Sequence, residues 1–135
     1  MALPVTESVS FGYKRLYKNG KPHKGVDFGC RKGTKVKAPV TGVVWHSANG
    51  GGWGSAYGAH VIIQTTFQGQ KRWVLLAHLS RLDVGKGAKI QAGQVIGLSG
   101  GVPKTWGAGN TTGAHLHTQV NKSTLWSDHV DPWPI

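Results

Sequence analysis

Acidic side chains are scarce in this chain. Glu7, Asp27, Asp83, Asp128 and Asp131 stand against sixteen lysines and arginines, a formal charge of +11 over 135 residues. Cys30 is the only cysteine, which excludes an internal disulfide and a cysteine-built metal site and leaves it the role of a small buried hydrophobe. No apolar run approaches the roughly 20 residues that a bilayer-spanning helix needs. No stretch keeps a 3.6-residue apolar stripe over eleven or more positions, so no large helix is expected. The opening MALPVTESVS lacks a basic segment followed by an apolar one, so no export signal is expected and synthesis is placed in the cytoplasm. Repeats, low-complexity tracts and linkers are missing too, which predicts one domain over 1–135 with its core at about 11–132.

The basic residues are spread as KPHK, RKGTKVK, QKRW and GKGAK rather than gathered in one arm. A chain so charged concentrates near polyanions, and nucleic acid, phosphate-rich cell-wall polymers and anionic membranes all qualify. Zinc-finger, RRM and KH signatures are missing, so nucleic acid is not the expected partner. Charge here predicts a location, not a chemistry.

Glycine supplies 21 residues, and between the glycines run β-prone segments: KVKAPVTGVVWHS, HVIIQTTF, KRWVLLAHL, QVIGLS and HLHTQV. FQGQK reads as a hairpin turn around Gly69. The fold class predicted is all-β and antiparallel, sheet- or barrel-like. Two long glycine-rich loops, 46–59 and 100–114, interrupt it and carry Trp53, Tyr57 and Trp106. Loops of this length are usually functional, and planar rings on them suit an extended peptide or sugar lying in a groove. The tail NKSTLWSDHVDPWPI reads as a terminal segment packed by Trp126 and Trp133.

Seven histidines carry the chemistry. His115 and His117 in GAHLHTQV would share one face of a strand, with Cα atoms about 6.6 Å apart. His23 and Asp27 in KPHKGVDFG would sit about 13 Å apart on a straight strand, too far to hold one ion. A bend at Gly25 would join them, and Gly25→Val is then expected to cost metal affinity more than global stability. With one histidine of the HLH pair they make a His–Asp–His set, three ligands with a place left for water, as in a catalytic zinc centre. Glu7 lies in a loose terminus and Asp27 is used as a ligand, so proton transfer falls to histidine. The candidates are the other member of HLH and His78 in LLAHLS; His46, His60 and His129 are expected on the surface or in loops.

In order, HKGVDFG, KVKAPVTGVV, AHLS, GAKIQAGQVIGLSG and TGAHLHTQV resemble the lysostaphin- and LytM-like zinc endopeptidases of family M23, over about Phe11 to Pro132. The resemblance implies a twisted antiparallel sheet, a half-barrel of the duplicated-hybrid-motif type, with loops walling a substrate groove. It implies one zinc ion per chain on His23, Asp27 and His117, with His115 and His78 catalytic and Tyr17, six residues before His23, near the developing oxyanion. The activity implied is hydrolysis of peptide cross-links in bacterial peptidoglycan, at glycine bridges or D-alanyl links. A monomeric phage endolysin acting on the wall fits, its charge holding it on anionic wall polymers. A degenerate, non-catalytic member that binds wall or a partner protein is the alternative. Leu76, Ala114, Thr118 and Gln119 stand where the family commonly has tyrosine, proline, an aromatic and glutamate.

Overall fold

The computed structural model describes every residue except 7, 8, 52 and 133–135, so Glu7 and Trp133 lie outside it. Eleven strands are present among the described residues: β1 (Val9–Phe11), β2 (Val26–Phe28), β3 (Lys35–Lys37), β4 (Gly42–Asn49), β5 (Ala59–Phe67), β6 (Gln70–Ala77), β7 (Leu79–Leu82), β8 (Lys89–Ile90), β9 (Val95–Ser99), β10 (Leu116–Asn121) and β11 (His129–Val130). All pairings are antiparallel. The large sheet runs β1-β2-β10-β6-β5-β4-β8 with β11 beside β10, and a three-stranded sheet runs β3-β9-β7. The large sheet is open, so the all-β antiparallel expectation holds as a sheet, not a closed barrel.

Alternation in β5 and β6 builds two apolar layers, because successive side chains leave opposite faces of a strand. Val61, Ile63 and Leu76 join Phe28, Val36, Leu79, Ile96 and Leu116 in the main core, which takes in residues of both sheets. Ile62, Trp73, Leu75 and Ala77 face the other way and are covered by Trp53, with Trp45 and Tyr57 against them. Cys30 is buried in the main core, as expected. Gln68 and Gly69, both at positive φ, turn β5 into β6 where the hairpin was placed, with Phe67 opposite Gln70.

Two segments read as single strands are each broken and shared between the sheets. KVKAPVTGVVWHS divides at 38–41 into β3 and β4, at Pro39, which has no N–H to give a ladder. KRWVLLAHL divides at His78, whose φ of +62° ends β6 and starts β7 in the small sheet. Periodicity is blind to both breaks, since the apolar character continues across them. The first long loop is also shorter than expected: β4 carries His46 as far as Asn49 and β5 begins at Ala59. His60 is wholly buried rather than superficial, its Nδ1 on the Gly58 carbonyl at 3.0 Å and its Nε2 against His46 Nδ1 at 2.9 Å.

Candidate active site

Strand β10 lies between β2 and β6, and all six of its residues are buried. One face carries the apolar Leu116 and Val120. The other presents His117, Gln119 and Asn121, set opposite Ala77, Leu75 and Trp73 of β6. A polar face so enclosed is tolerated only if its groups find partners. Asp27 of β2 is directly opposite His117, so the ladder itself sets carboxylate beside imidazole.

His23 joins them through the bend at 24–25. Its backbone is held by Arg15 and Lys14, its N–H donating to the Arg15 carbonyl and its own carbonyl accepting from Lys14 N–H. Three ligand atoms then converge: His23 Nε2 lies 3.1 Å from His117 Nδ1 and 3.3 Å from Asp27 Oδ1, and His117 Nδ1 lies 2.8 Å from that oxygen. Ligands on a tetrahedral ion at about 2.0–2.1 Å stand roughly 3.3 Å from one another. The donor types and spacings therefore fit such an ion, and these are the residues among those described that form a candidate metal cluster. Burial raises the Asp27 pKa, but hydrogen bonds and positive charge from His117 and His23 outweigh it and hold the carboxyl well below its usual range.

Backbone carbonyls, which only accept, fix the tautomers around the cluster. His23 Nδ1 faces the Gly12 carbonyl at 3.1 Å, so a proton sits there and Nε2 is the nitrogen turned to the cluster. His78 Nδ1 donates to the Ala108 carbonyl at 2.7 Å, and His115 Nδ1 to the Gly113 carbonyl at 2.7 Å. The His78 and His115 rings are 4.7 Å apart, and His115 Nε2 is 3.9 Å from Asp27 Oδ1. With Nδ1 occupied, each offers Nε2 as its remaining nitrogen. Burial, then charge on His115 and His117, depress His78 to about 4, which keeps it neutral near pH 7.

These groups line an open groove of about 920 Å³. Tyr17 stands on one wall, half exposed, edge-on to His23 at 5.4 Å. Burial, then charge on Asp27 and Tyr57, push its hydroxyl up to about 12, so it remains a donor. Tyr57 stacks on His117 at 5.7 Å, and Trp53, largely buried, also lines the groove, its Nε1 donating to the Thr124 carbonyl at 2.9 Å. Trp106 is not brought to the groove. The turn carrying it is tied down where Ala59 N–H meets the Gly107 carbonyl, and its ring is left exposed outside. The same loop sends Asn110, Thr111 and Thr112 into the lining instead. Trp126, expected to pack the tail, is half exposed and lines the groove, with Lys24 Nζ 4.8 Å above its ring. Gln119 was legible through strand alternation with His117. Trp126 carried no such signal.

An imidazole–carboxylate–imidazole cluster in an open groove, with two further imidazoles beside it, has the parts of metal-assisted hydrolysis. Residues 21–132 match Peptidase family M23, and the chain belongs to that family. It is 37% identical over 117 residues to the peptidoglycan DD-endopeptidase ShyA of Vibrio cholerae, covering 84% of this chain and 24% of that one, so it spans about a quarter of that relative's length. The lysostaphin catalytic domain of Staphylococcus simulans superposes with a TM-score of 0.77 at 32% identity, over 95% of this chain and 90% of that one. A zinc-containing peptidase from Vibrio cholerae superposes with a TM-score of 0.75 at 26% identity, over 95% of this chain and 37% of that one.

Gly25 makes the bend, yet the reason it must be glycine differs from the expected one. A Cβ there would collide with the Thr118 carbonyl and lie 2.9 Å from His117 Cε1. Gly25→Val therefore presses on the β2–β10 ladder as well as on the His117 ring. Stability and metal affinity are expected to fall together, stability by about 1–3 kcal/mol, as urea denaturation with chelator and metal competition will measure.

His78 generates a pH dependence. Its folded pKa, about 4, lies below the ordinary 6.5. The unfolded chain thus binds the extra proton first, and the stability from neutral His78 is lost as pH falls from 6.5 towards 4. His78→Gln should flatten that slope in denaturation curves recorded with chelator. The lowered pKa values of His60 and His129 should keep it from vanishing.

Proposed function

We propose that this protein is a zinc-dependent endopeptidase that cuts peptide cross-links of bacterial peptidoglycan. The observation that carries the reading is the His78–His115 pair set beside the His23–Asp27–His117 cluster at the floor of one groove. A non-catalytic wall-binding domain has no need of both sets. His23 Nε2, Asp27 Oδ1 and His117 Nδ1 would hold the ion. When bound, zinc supplies Lewis acidity to the scissile carbonyl and makes water acidic enough to attack near neutral pH.

The remaining chemistry belongs to side chains of this chain. His78 and His115 keep their Nδ1 protons on carbonyls, so as neutral rings each offers Nε2 first as an acceptor. One takes the proton of the attacking water and, once charged, becomes an N–H donor for the leaving amine. Tyr17, protonated and on the wall, is placed to donate to the developing oxyanion. Tyr57 and Trp126 give flat surfaces along which an extended peptide can lie. Among the described residues Asp27 is the one carboxylate in the lining, which agrees with histidine as the proton carrier.

The substrate class rests on the family and on relatives such as ShyA, whose name states a peptidoglycan endopeptidase. We assign the activity to wall lysis, as a phage endolysin performs it, with the +11 charge drawing a monomeric enzyme to anionic wall polymers.

Zinc content and clearing of purified cell walls, with and without chelator, test the proposal together. The untreated protein should carry one zinc and clear walls, and chelation should stop clearing. His78→Ala and His115→Ala should cut turnover by about 10²–10⁴-fold with zinc retained. His23→Ala, Asp27→Ala and His117→Ala should lose zinc as well. Clearing that persists without metal would overturn the assignment.

Wall binding should weaken steeply as salt is raised, because exposed charges more than about 8–10 Å apart are screened at physiological ionic strength. Co-sedimentation with purified walls across a salt series reads this. Retention that ignores salt would remove charge from the account.

A further inference from the structure

Gln119 stands two residues after His117 on the same buried face of β10, with no solvent exposure. Its amide uses both of its ends. Nε2 donates to the Trp126 carbonyl at 3.1 Å and to Asn121 Oδ1 at 3.0 Å, and Asn121 is itself oriented by donating to the Leu125 carbonyl at 2.7 Å. A carbonyl only accepts, so the nitrogen of Gln119 must be the atom that faces Trp126. Oε1 is thereby turned towards His117 Nε2, 3.1 Å away, and also accepts from the Tyr57 hydroxyl at 2.9 Å.

An amide oxygen has no proton to give. His117 must therefore carry a proton on Nε2 to make that bond, which leaves Nδ1, the nitrogen that faces Asp27 and His23, as the one it can give to a metal ion. A ligating histidine whose second nitrogen is held in this way keeps its ring orientation and its tautomer, and loss of such a partner typically lowers metal affinity about 10–100-fold.

We infer that Gln119 is a positioning residue: through Nε2–H of His117 it sets the Nδ1 lone pair of that ligand towards the metal cluster, and through Tyr57 and Trp126 it fastens two groove walls to the same ring. This rests on the metal reading given above. It adds that the loop segments carrying Tyr57 and Trp126 are tied to a ligand through one side chain, rather than packed near it.

The test uses zinc affinity and imidazole nitrogen NMR on the whole chain, with no activity assay. In the zinc-loaded wild type, His117 should show a proton on Nε2, slow to exchange with water, and a metal-bound Nδ1. Gln119→Met, similar in size and at most a weak acceptor, should weaken zinc by about 10–100-fold in competition with a chromophoric chelator and lose the protected Nε2–H signal. Gln119→Glu keeps an acceptor at the same place but gives up the donation to Trp126. It should restore affinity to within a few-fold of wild type even though its unfolding midpoint falls. A merely structural role predicts that affinity follows stability in both variants, and that result overturns the inference. So does a His117 bound through Nε2 in the wild type, a measurement that requires no variant to fold. A wild-type chain that takes up no zinc overturns the metal reading first and this one with it, whereas zinc bound equally well by wild type and Gln119→Met overturns only the role of Gln119.

Discussion

The arrangement turns on burying polar side chains in the middle of a sheet. β10 is covered on both faces, so Gln119 and Asn121 have no water to fall back on and His117 has little beyond its edge on the groove, and protein must satisfy them. Each unmet group would cost about 1–3 kcal/mol, and for His117, Gln119 and Asn121 a closed network removes that cost, whereas among the described residues Thr118 Oγ1 on the opposite face is left without a partner. Asp27 meets His117 across the ladder, Gln119 meets its other nitrogen, and the carbonyls of Leu125 and Trp126 finish the far end. The same requirement that stabilises the fold thus leaves each ring nitrogen with a single available role. Specific chemistry follows from having no slack.

The loops answer to this network as well as to the core. Tyr57 reaches Gln119 with its hydroxyl, its carbonyl accepts from His78 N–H, and Trp53 is pinned to Thr124. Gly58, at positive φ, lies so close to Gly107 that a side chain would strike the Gly107 carbonyl, bringing the two long loops together over the end of β5. Ala108, in the second loop, supplies the carbonyl that orients His78. Residues far apart in the chain therefore fix one imidazole pair, His78 through the Ala108 carbonyl and His115 through the Gly113 carbonyl with Thr111 Oγ1 beside it.

Much of the site was legible because its signals are short-range. His115 and His117 share a face by strand alternation, and the need for a bend between His23 and Asp27 follows from strand length alone. The hairpin at Gly69 was equally local. What periodicity misses are events that leave hydropathy unchanged. The positive φ of His78 and the break at Pro39 move the chain from one sheet to another while the apolar run carries on. Trp106 and Trp126 show the same limit for aromatics. Both lie on exposed loops, and only the tertiary ties of Gly107 and Asn121 decide which ring faces the groove. Gly25 was chosen correctly for its position, but the need for glycine lies in a contact with β10, over ninety residues away in sequence, that no local pattern encodes.

Electrostatics complete the logic. Among the described residues, the groove gathers four imidazoles and the lysines Lys18 and Lys24 around a single carboxylate, Asp27. In so positive a setting a charged histidine at 78 would be repelled by its neighbours and stripped of solvent, and both effects keep it neutral. A neutral imidazole whose Nδ1 proton is already committed is a base by default. The scarcity of acidic residues that marks the whole sequence is therefore expressed at the site as a contrast of two groups: Asp27 lies inside the His23–Asp27–His117 cluster, and beside it stands His78, which burial and the neighbouring rings keep neutral.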